Sequence, residues 1–330
     1  MQTAVLLAQK DQLASAYPAA LREEIGRSVE LIPGEIDGRE WERHAELLAG
    51  VDLIFSTWGM PRLDARFLAA APRLKAVFYA AGTVKGFATP EAYARGIVIS
   101  SAWVANAIPV AEYSLGVILL SLKRFWSHVS VAPADKFRHA SLPIPGCYGT
   151  KVGLLSLGAV GREVAKLLSG FELEVQAYDP HADPGKAAAL GVTMVGLKEL
   201  FSESDVVSIH APWIPETENM VGGDLVRSMK QGATLLNTAR GSVVNEAEVC
   251  RALLERPDIT AILDVTHPEP PLPDSPLRTL SNVILTPHIA GSLGGEIARM
   301  GRWMVDEMKR FVDGQPLRHS VSQEMLARMA

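Results

Sequence analysis

Residues 151–179 read KVGLLSLGAVGREVAKLLSGFELEVQAYD, and this stretch decides the fold. The apolar run Val152 to Leu157 predicts a buried parallel strand, and Val164, Leu167 and Leu168 have the spacing of a helix's inner face. Between them, Ser156-Leu157-Gly158-Ala159-Val160-Gly161 has the G-x-G-x-x-G spacing of a dinucleotide-binding turn, with serine in the first place. Gly158 lets the backbone approach a pyrophosphate, Gly161 lets the helix pack tightly on the strand, and Ala159 and Val160 open the helix between them. The free N–H groups of that helix start, with its dipole, favour phosphate. Serine turns the chain with less freedom than glycine, a departure expected to leave dinucleotide binding in place. Asp179 closes the second strand 18 residues past Gly161, where an acid accepts hydrogen bonds from an adenosine ribose. A carboxylate there repels a 2′-phosphate, and Pro180-His181 follow it rather than an arginine, so NAD is favoured over NADP.

The whole chain has 330 residues, 48% of them hydrophobic, which suits two compact domains rather than one. A net charge of −5 gives no electrostatic reason to expect nucleic acid or an anionic membrane as partner. Cys147 and Cys250 form no CxxC pair and no framework of bridges, which points to a reducing cytoplasm. The N-terminus, MQTAVLLAQKDQ, lacks the basic leader and apolar core of a signal peptide. Leu115 to Leu122 is the most apolar segment, too short to span a bilayer. No residue is assigned to a metal.

The first hundred residues alternate short apolar runs with helical pattern. Ala4–Ala8, Val29–Ile32, Val51–Phe55, Leu74–Ala80 and Ile97–Ser100 read as strands, with helices over Leu13–Ile25 and Glu40–Leu48. That alternation predicts a parallel sheet covered by helices, with ligands beyond the carboxyl ends of its strands. Two loops at those ends stand out, Ser56 to Pro61 and Ala81 to Gly86; the second either offers backbone N–H groups to an anion or is a plain glycine turn. Asn106 suits an N-cap, with Pro109 in the first turn of a helix running to about Phe125. Its apolar residues Val110, Leu115, Val117, Ile118, Leu119 and Leu120 cover nearly the whole circumference, so it is expected to be buried on more than one side. Residues 131–150 read as a long loop.

After Asp179 the alternation continues. Strands end at His210-Ala211-Pro212, at Asn237-Thr238-Ala239-Arg240-Gly241, at Asp264 before Pro268-Glu269-Pro270, and at Pro287-His288. Polar residues thus recur at the edge where the cofactor should lie, and Arg240, Glu269 and His288 make a set. Each alone is equally a surface or structural group.

Six motifs in order resemble the D-isomer-specific 2-hydroxyacid dehydrogenase family, which includes glyoxylate/hydroxypyruvate reductases and phosphoglycerate dehydrogenase-like enzymes. They are N-x-x-x-V-A-E at Asn106, the glycine turn with Asp179, H-A-P-x-x-P-E-T at His210, N-T-A-R-G at Asn237, L-D-V-x-x-x-E-P at Leu263 and L-T-P-H-I-A-G at Leu285. The resemblance implies an α/β chain of two Rossmann-like domains, flavodoxin-like for substrate and dinucleotide-binding for NAD, with parallel sheets and a cleft between them. The substrate domain is expected over 1–103 plus 298–330, the NAD-binding domain over 104–297. The implied reaction interconverts a D-2-hydroxy acid and a 2-oxo acid. His288 resembles the family's acid/base, Glu269 the partner that orients it, and Arg240 the carboxylate clamp. Asp264 resembles the residue that bonds the nicotinamide carboxamide, and Gly82, Thr83 and Val84 resemble the loop that meets the substrate carboxylate. His210, Pro212, Thr217, Thr238, Ala239 and Gly291 fall in motifs that the resemblance sets beside the cofactor, His210 being read as structural or cofactor-adjacent. A homodimer is expected on the same ground.

Several departures bear on the pocket. Thr266-His267 stand where an aromatic and an acid are usual, and the Ala81–Gly86 loop lacks its second glycine and following acid. Lys85 either adds charge for a larger anion or is solvated. The alternative from another class is an NAD(H)-sensing scaffold without significant turnover. Formate oxidation expects glutamine where Glu269 stands. The C-terminal helix, with Ile297, Met300, Met304, Met308 and Phe311 on one face, is expected to stop at Asp313-Gly314. Residues 322–330 form a short helix or a loose end.

Overall fold

The computed structural model describes residues 1–131, 143–327 and 329. The middle of the loop expected over 131–150 lies outside the described residues. The chain divides into two compact units, residues 1–106 with 292–329 and residues 107–291.

The first unit holds five parallel strands: β1 (Thr3–Ala8), β2 (Glu30–Asp37), β3 (Leu53–Ser56), β4 (Ala76–Tyr79) and β5 (Val98–Ser101), in the order β2-β1-β3-β4-β5. This is the flavodoxin-like order. β3 and β4 are buried at every position, because helices cover both sheet faces. Alternate side chains sort to two cores. Leu6, Phe55 and Phe78 pack with Leu13, Tyr17, Ile25 and Met304, whereas Val5, Ile54 and Val77 pack with Leu48 and Phe67. β2 runs five residues beyond the expected Ile32 through Pro33 and Gly34, which an edge strand tolerates, and its register on β1 shifts between Ala4 and Leu6.

The helix expected over Leu13–Ile25 is two helices, Lys10–Ala16 and Ala19–Ser28, because Pro18 cannot continue the first. Over Glu40–Leu48 stand a 3₁₀ turn, Trp41–His44, and one α-turn, Ala45–Leu48. The C-terminal helix spans Gly295–Val312 and stops at Asp313-Gly314, with Ile297, Met300, Met304 and Met308 buried. A four-residue helix, Gln323–Leu326, follows.

The second unit holds seven parallel strands: β6 (Lys151–Leu155), β7 (Glu174–Tyr178), β8 (Val192–Met194), β9 (Val206–Ile209), β10 (Thr234–Asn237), β11 (Thr260–Leu263) and β12 (Val283–Leu285). Their order, β12-β11-β10-β9-β6-β7-β8, is the doubly wound 3-2-1-4-5-6 arrangement with a seventh strand added. The register is continuous across the carboxyl edge. Leu155 pairs with Tyr178 and Ile209, Ile209 with Asn237, Asn237 with Leu263, and Leu263 with Leu285. The next residue of each of these six strands therefore falls in one row, Asp179, Ser156, His210, Thr238, Asp264 and Thr286. Every one of them is polar.

The long apolar helix spans Trp103–Leu122, three residues earlier at each end than expected. Asn106 is consequently inside it and not its N-cap: its N–H donates to Ala102 O, and its Oδ1 accepts from Ser292 N at 2.9 Å. Pro109 stands inside the helix rather than in its first turn. The helix is long and apolar enough to cross a membrane by length and composition alone, and half of its most apolar window is buried within the protein. Ala111, Val117, Ile118 and Leu122 pack on Val152, Leu154 and Leu168, while Leu120 is 39% exposed, so one side remains uncovered.

Candidate active site on the second sheet

The glycine-rich turn joins β6 to the helix Ala159–Leu168, with Gly158 at the N-cap position and no side chain capping the first turn. A Cβ on Gly161 would stand 2.1 Å from Ser156 O, so only glycine lets the helix pack this closely on the strand. The uncapped N–H groups at the helix start fit the phosphates of a dinucleotide, the group for which the strand–turn–helix spacing is suited. Ser156 sits at φ +82°, a left-handed conformation that costs a non-glycine residue roughly 1–2 kcal/mol. Asp179, half-buried, accepts at Oδ2 from Ser156 Oγ (3.0 Å) and Leu157 N (2.9 Å), and at Oδ1 from His181 N (2.8 Å).

Three neighbouring strands deliver the polar set. After β10, Asn237 closes the turn: Ala239 N donates to its Oδ1, and its Nδ2 donates to Arg240 O, both at 3.0 Å. Gly241 lies against the backbone of Thr266, which a Cβ would meet at 2.0 Å, and this fixes the path of the chain beyond Arg240. Burial lowers the pKa of Arg240, while the charge of Glu269 acts in the opposite sense. Its guanidinium therefore stays charged and feels Glu269.

Glu269 Oε1 and His288 Nδ1 are 2.6 Å apart. A carboxylate on Nδ1 fixes that nitrogen as the donor and leaves Nε2, on the far side of the ring, for proton exchange. His288 itself is at φ +54°, and its N–H donates to Asp264 O and Thr286 O, both at 3.0 Å.

The buried Asp264 holds this loop by its side chain as well. Oδ1 accepts from Thr286 Oγ1 (2.6 Å) and Ile289 N (2.8 Å), and Oδ2 from Ala290 N (2.9 Å). Tyr113 OH extends the chain, 3.0 Å from Thr286 Oγ1. The motif at Leu263 implies a cofactor contact for Asp264 and does not disclose its grip on the His288 loop. The contact comes from the β11–β12 register, which pairs Leu263 with Leu285 and so brings Asp264 to Thr286 and the residues beyond it.

The remaining expected residues are distributed as follows. Thr238 is buried with Oγ1 3.3 Å from Ser114 Oγ, Ala239 is buried, and Gly291 is half-buried. Thr217 is buried within its own loop, donating to Pro212 O at 2.5 Å and accepting from Ile214 N at 3.1 Å. Gly82, Thr83 and Val84 belong to the first unit, beyond β4, where Ser101 Oγ lies 2.9 Å from Ala81 O and 2.5 Å from Gly82 O.

His210 is 8% exposed, its Nε2 2.9 Å from Ser208 Oγ and its Nδ1 buried without a partner among the described residues. Burial lowers its pKa from 6.5 to about 3. A depressed pKa means that the unfolded chain takes up the proton first, so stability is lost as the pH falls from about 6.5 towards 3, by ~1.4 kcal/mol per unit. His210→Asn is expected to flatten the pH dependence of the urea midpoint between pH 6.5 and 4 (about two and a half units of this linkage); an unchanged slope would show that His210 is not its source.

The profile of the D-isomer specific 2-hydroxyacid dehydrogenase NAD binding domain matches residues 115–290. The chain belongs to the D-isomer specific 2-hydroxyacid dehydrogenase family. The chain is 33% identical to D-3-phosphoglycerate dehydrogenase of Archaeoglobus fulgidus over 261 residues, 79% of this chain and 50% of that one. This family member thus spans about half the length of that relative. It is 31% identical to glyoxylate reductase of Korarchaeum cryptofilum over 268 residues, 80% of this chain and 81% of the other. A crystal structure of a Thermus thermophilus protein, 27% identical, superposes with a TM-score of 0.76 over 97% of this chain and 100% of that chain.

Proposed function

We propose that this dehydrogenase-family chain interconverts a D-2-hydroxy acid and its 2-oxo acid with NAD. The observation that carries the proposal is the His288 Nδ1–Glu269 Oε1 bond of 2.6 Å, with the half-buried Arg240 feeling the charge of Glu269, on the strand edge that also bears the dinucleotide turn. Residues 107–291 are proposed as the NAD-binding domain and the rest as the substrate domain.

Gly158, Ala159, Val160 and Gly161 would hold the pyrophosphate and Asp179 the adenosine ribose; His210, Pro212, Thr217, Thr238, Ala239, Asp264 and Gly291 would line the remainder. When bound, the nicotinamide supplies the acceptor or donor of the hydride at substrate C2. In oxidation His288 Nε2 takes the hydroxyl proton, and Glu269 favours the resulting imidazolium by its charge. In reduction His288 returns that proton to the carbonyl oxygen. Arg240, with a planar fork of donors, binds the substrate carboxylate and polarises the carbonyl. Its partial burial strengthens both interactions, since water screens them less. Gly82, Thr83 and Val84 are assigned, as the family resemblance implies, to a substrate carboxylate through backbone N–H groups.

Asp179 disfavours NADP, because its carboxylate would face a 2′-phosphate. A homodimer that covers the exposed side of Trp103–Leu122, at Leu120, completes the proposal.

The test is NADH oxidation across a panel of 2-oxo acids: glyoxylate, hydroxypyruvate, pyruvate, a phosphorylated 2-oxo acid and branched 2-oxo acids. Turnover with at least one acid is expected, at a rate well above that with NADPH. NADH binding without turnover on any of them would favour the NAD(H)-sensing scaffold instead.

A further inference from the structure

Ser156 is an unusual residue for its conformation. Its φ of +82° is one that glycine adopts without penalty, yet the chain keeps a side chain there. That side chain has a definite partner. The β6–β7 register pairs Leu155 with Tyr178, so Ser156 and Asp179 follow side by side, and Ser156 N donates to Tyr178 O at 2.9 Å. From this position Ser156 Oγ reaches Asp179 Oδ2 at 3.0 Å, a charge-assisted bond that glycine could not make.

The lone pairs of the carboxylate can then be accounted for. A carboxylate has about four acceptor sites, two on each oxygen. Oδ2 is filled by Ser156 Oγ and Leu157 N. Oδ1 accepts from His181 N, which leaves one site on Oδ1 for a further donor. An incoming ribose hydroxyl has that site to donate to. A 2′-phosphate has acceptors where a donor is needed, and its negative charge is repelled by that of the carboxylate. Without Ser156 Oγ the carboxylate would be held by backbone N–H groups alone, Leu157 N on Oδ2 and His181 N on Oδ1, and would turn from such a phosphate more freely than one the hydroxyl also holds.

We propose that Ser156 is a positioning residue for cofactor choice: its hydroxyl clamps Asp179 so that Oδ1 meets an adenosine ribose hydroxyl and the carboxylate turns less freely from a 2′-phosphate. This rests on the dinucleotide reading given above and extends it to a residue outside the usual glycine pattern.

The test is a fluorescence titration of NADH and NADPH binding to the full chain, unmodified and as Ser156→Gly, Asp179→Ala and the double variant. Glycine is the residue best able to hold φ +82°, so Ser156→Gly keeps the backbone of the turn while it removes the hydroxyl. Ser156→Gly is expected to weaken NADH binding and lower the NADH-over-NADPH preference about tenfold, equivalent to ~1.4 kcal/mol. In the Asp179→Ala background the same change is expected to alter neither dissociation constant by more than about twofold, because its effect runs through Asp179. An unchanged preference in Ser156→Gly, or the same shift without Asp179, would overturn the role of Ser156 and leave the dinucleotide reading standing. Failure of the unmodified chain to bind either nucleotide would overturn both.

Discussion

Replacing His288 with alanine is expected to lower turnover by about 10²–10⁴-fold, the range supplied by a positioned general acid or base. NADH binding should change little, because the glycine turn and Asp179 lie on β6 and β7, across the sheet from β12. The separation of the two effects is informative. Glu269 and His288 are both partly exposed, so their bond is worth little as a surface ion pair, and its value lies in orienting the ring. A variant with full turnover would remove the imidazole from the mechanism. A variant that loses NADH binding to the same degree as turnover would make His288 a binding group instead.

The second large effect is expected at Asp264. Asp264→Ala removes the acceptor from three donors at once, Thr286 Oγ1 and the N–H groups of Ile289 and Ala290. A buried donor such as Ala290 N left unpaired costs about 1–3 kcal/mol and the two part-buried donors less, because water reaches them, so a stability loss of about 2–4 kcal/mol is expected. Turnover should fall by about 10²-fold or more, because a misplacement of about 1 Å at a reacting group has that cost. Asp264→Asn keeps two acceptor contacts if its oxygen takes the Oδ1 position, and should lose less. Thermal unfolding of the cofactor-free protein separates this structural role from the nicotinamide contact implied by resemblance. An Asp264→Ala protein as stable as the unmodified one would show that the loop does not depend on the carboxylate.

The local rules of the sequence were sufficient for some elements and blind to others. Gly161 and Asp179 were legible because each carries a backbone or charge requirement within one strand–turn–helix unit. Most strands of both sheets were legible as apolar runs, since a parallel sheet buried on both faces leaves no polar alternation, whereas the three-residue edge strand β8, with Thr193 exposed, was not. Asn106 looked like an N-cap by composition, but Ala102 O already accepts its N–H, and the helix begins at Trp103. Pro18 was passed over inside an amphipathic pattern that continued on both sides of it. The Ser156–Asp179 bond and the grip of Asp264 on the His288 loop were not legible at all. Both arise from register between strands, which no spacing along the chain encodes.

The proposed reaction is hydride transfer at this strand edge with His288 as the proton partner. Its most direct test is a single-turnover reaction with NADH deuterated at the transferred C4 position and a 2-oxo acid from the panel, followed by NMR of the product. A D-2-hydroxy acid with deuterium at C2 is expected, formed by the unmodified protein and not on the same timescale by His288→Ala. Label retained on the nicotinamide with every acid, while NADH is bound, or equal label transfer by His288→Ala, would contradict it.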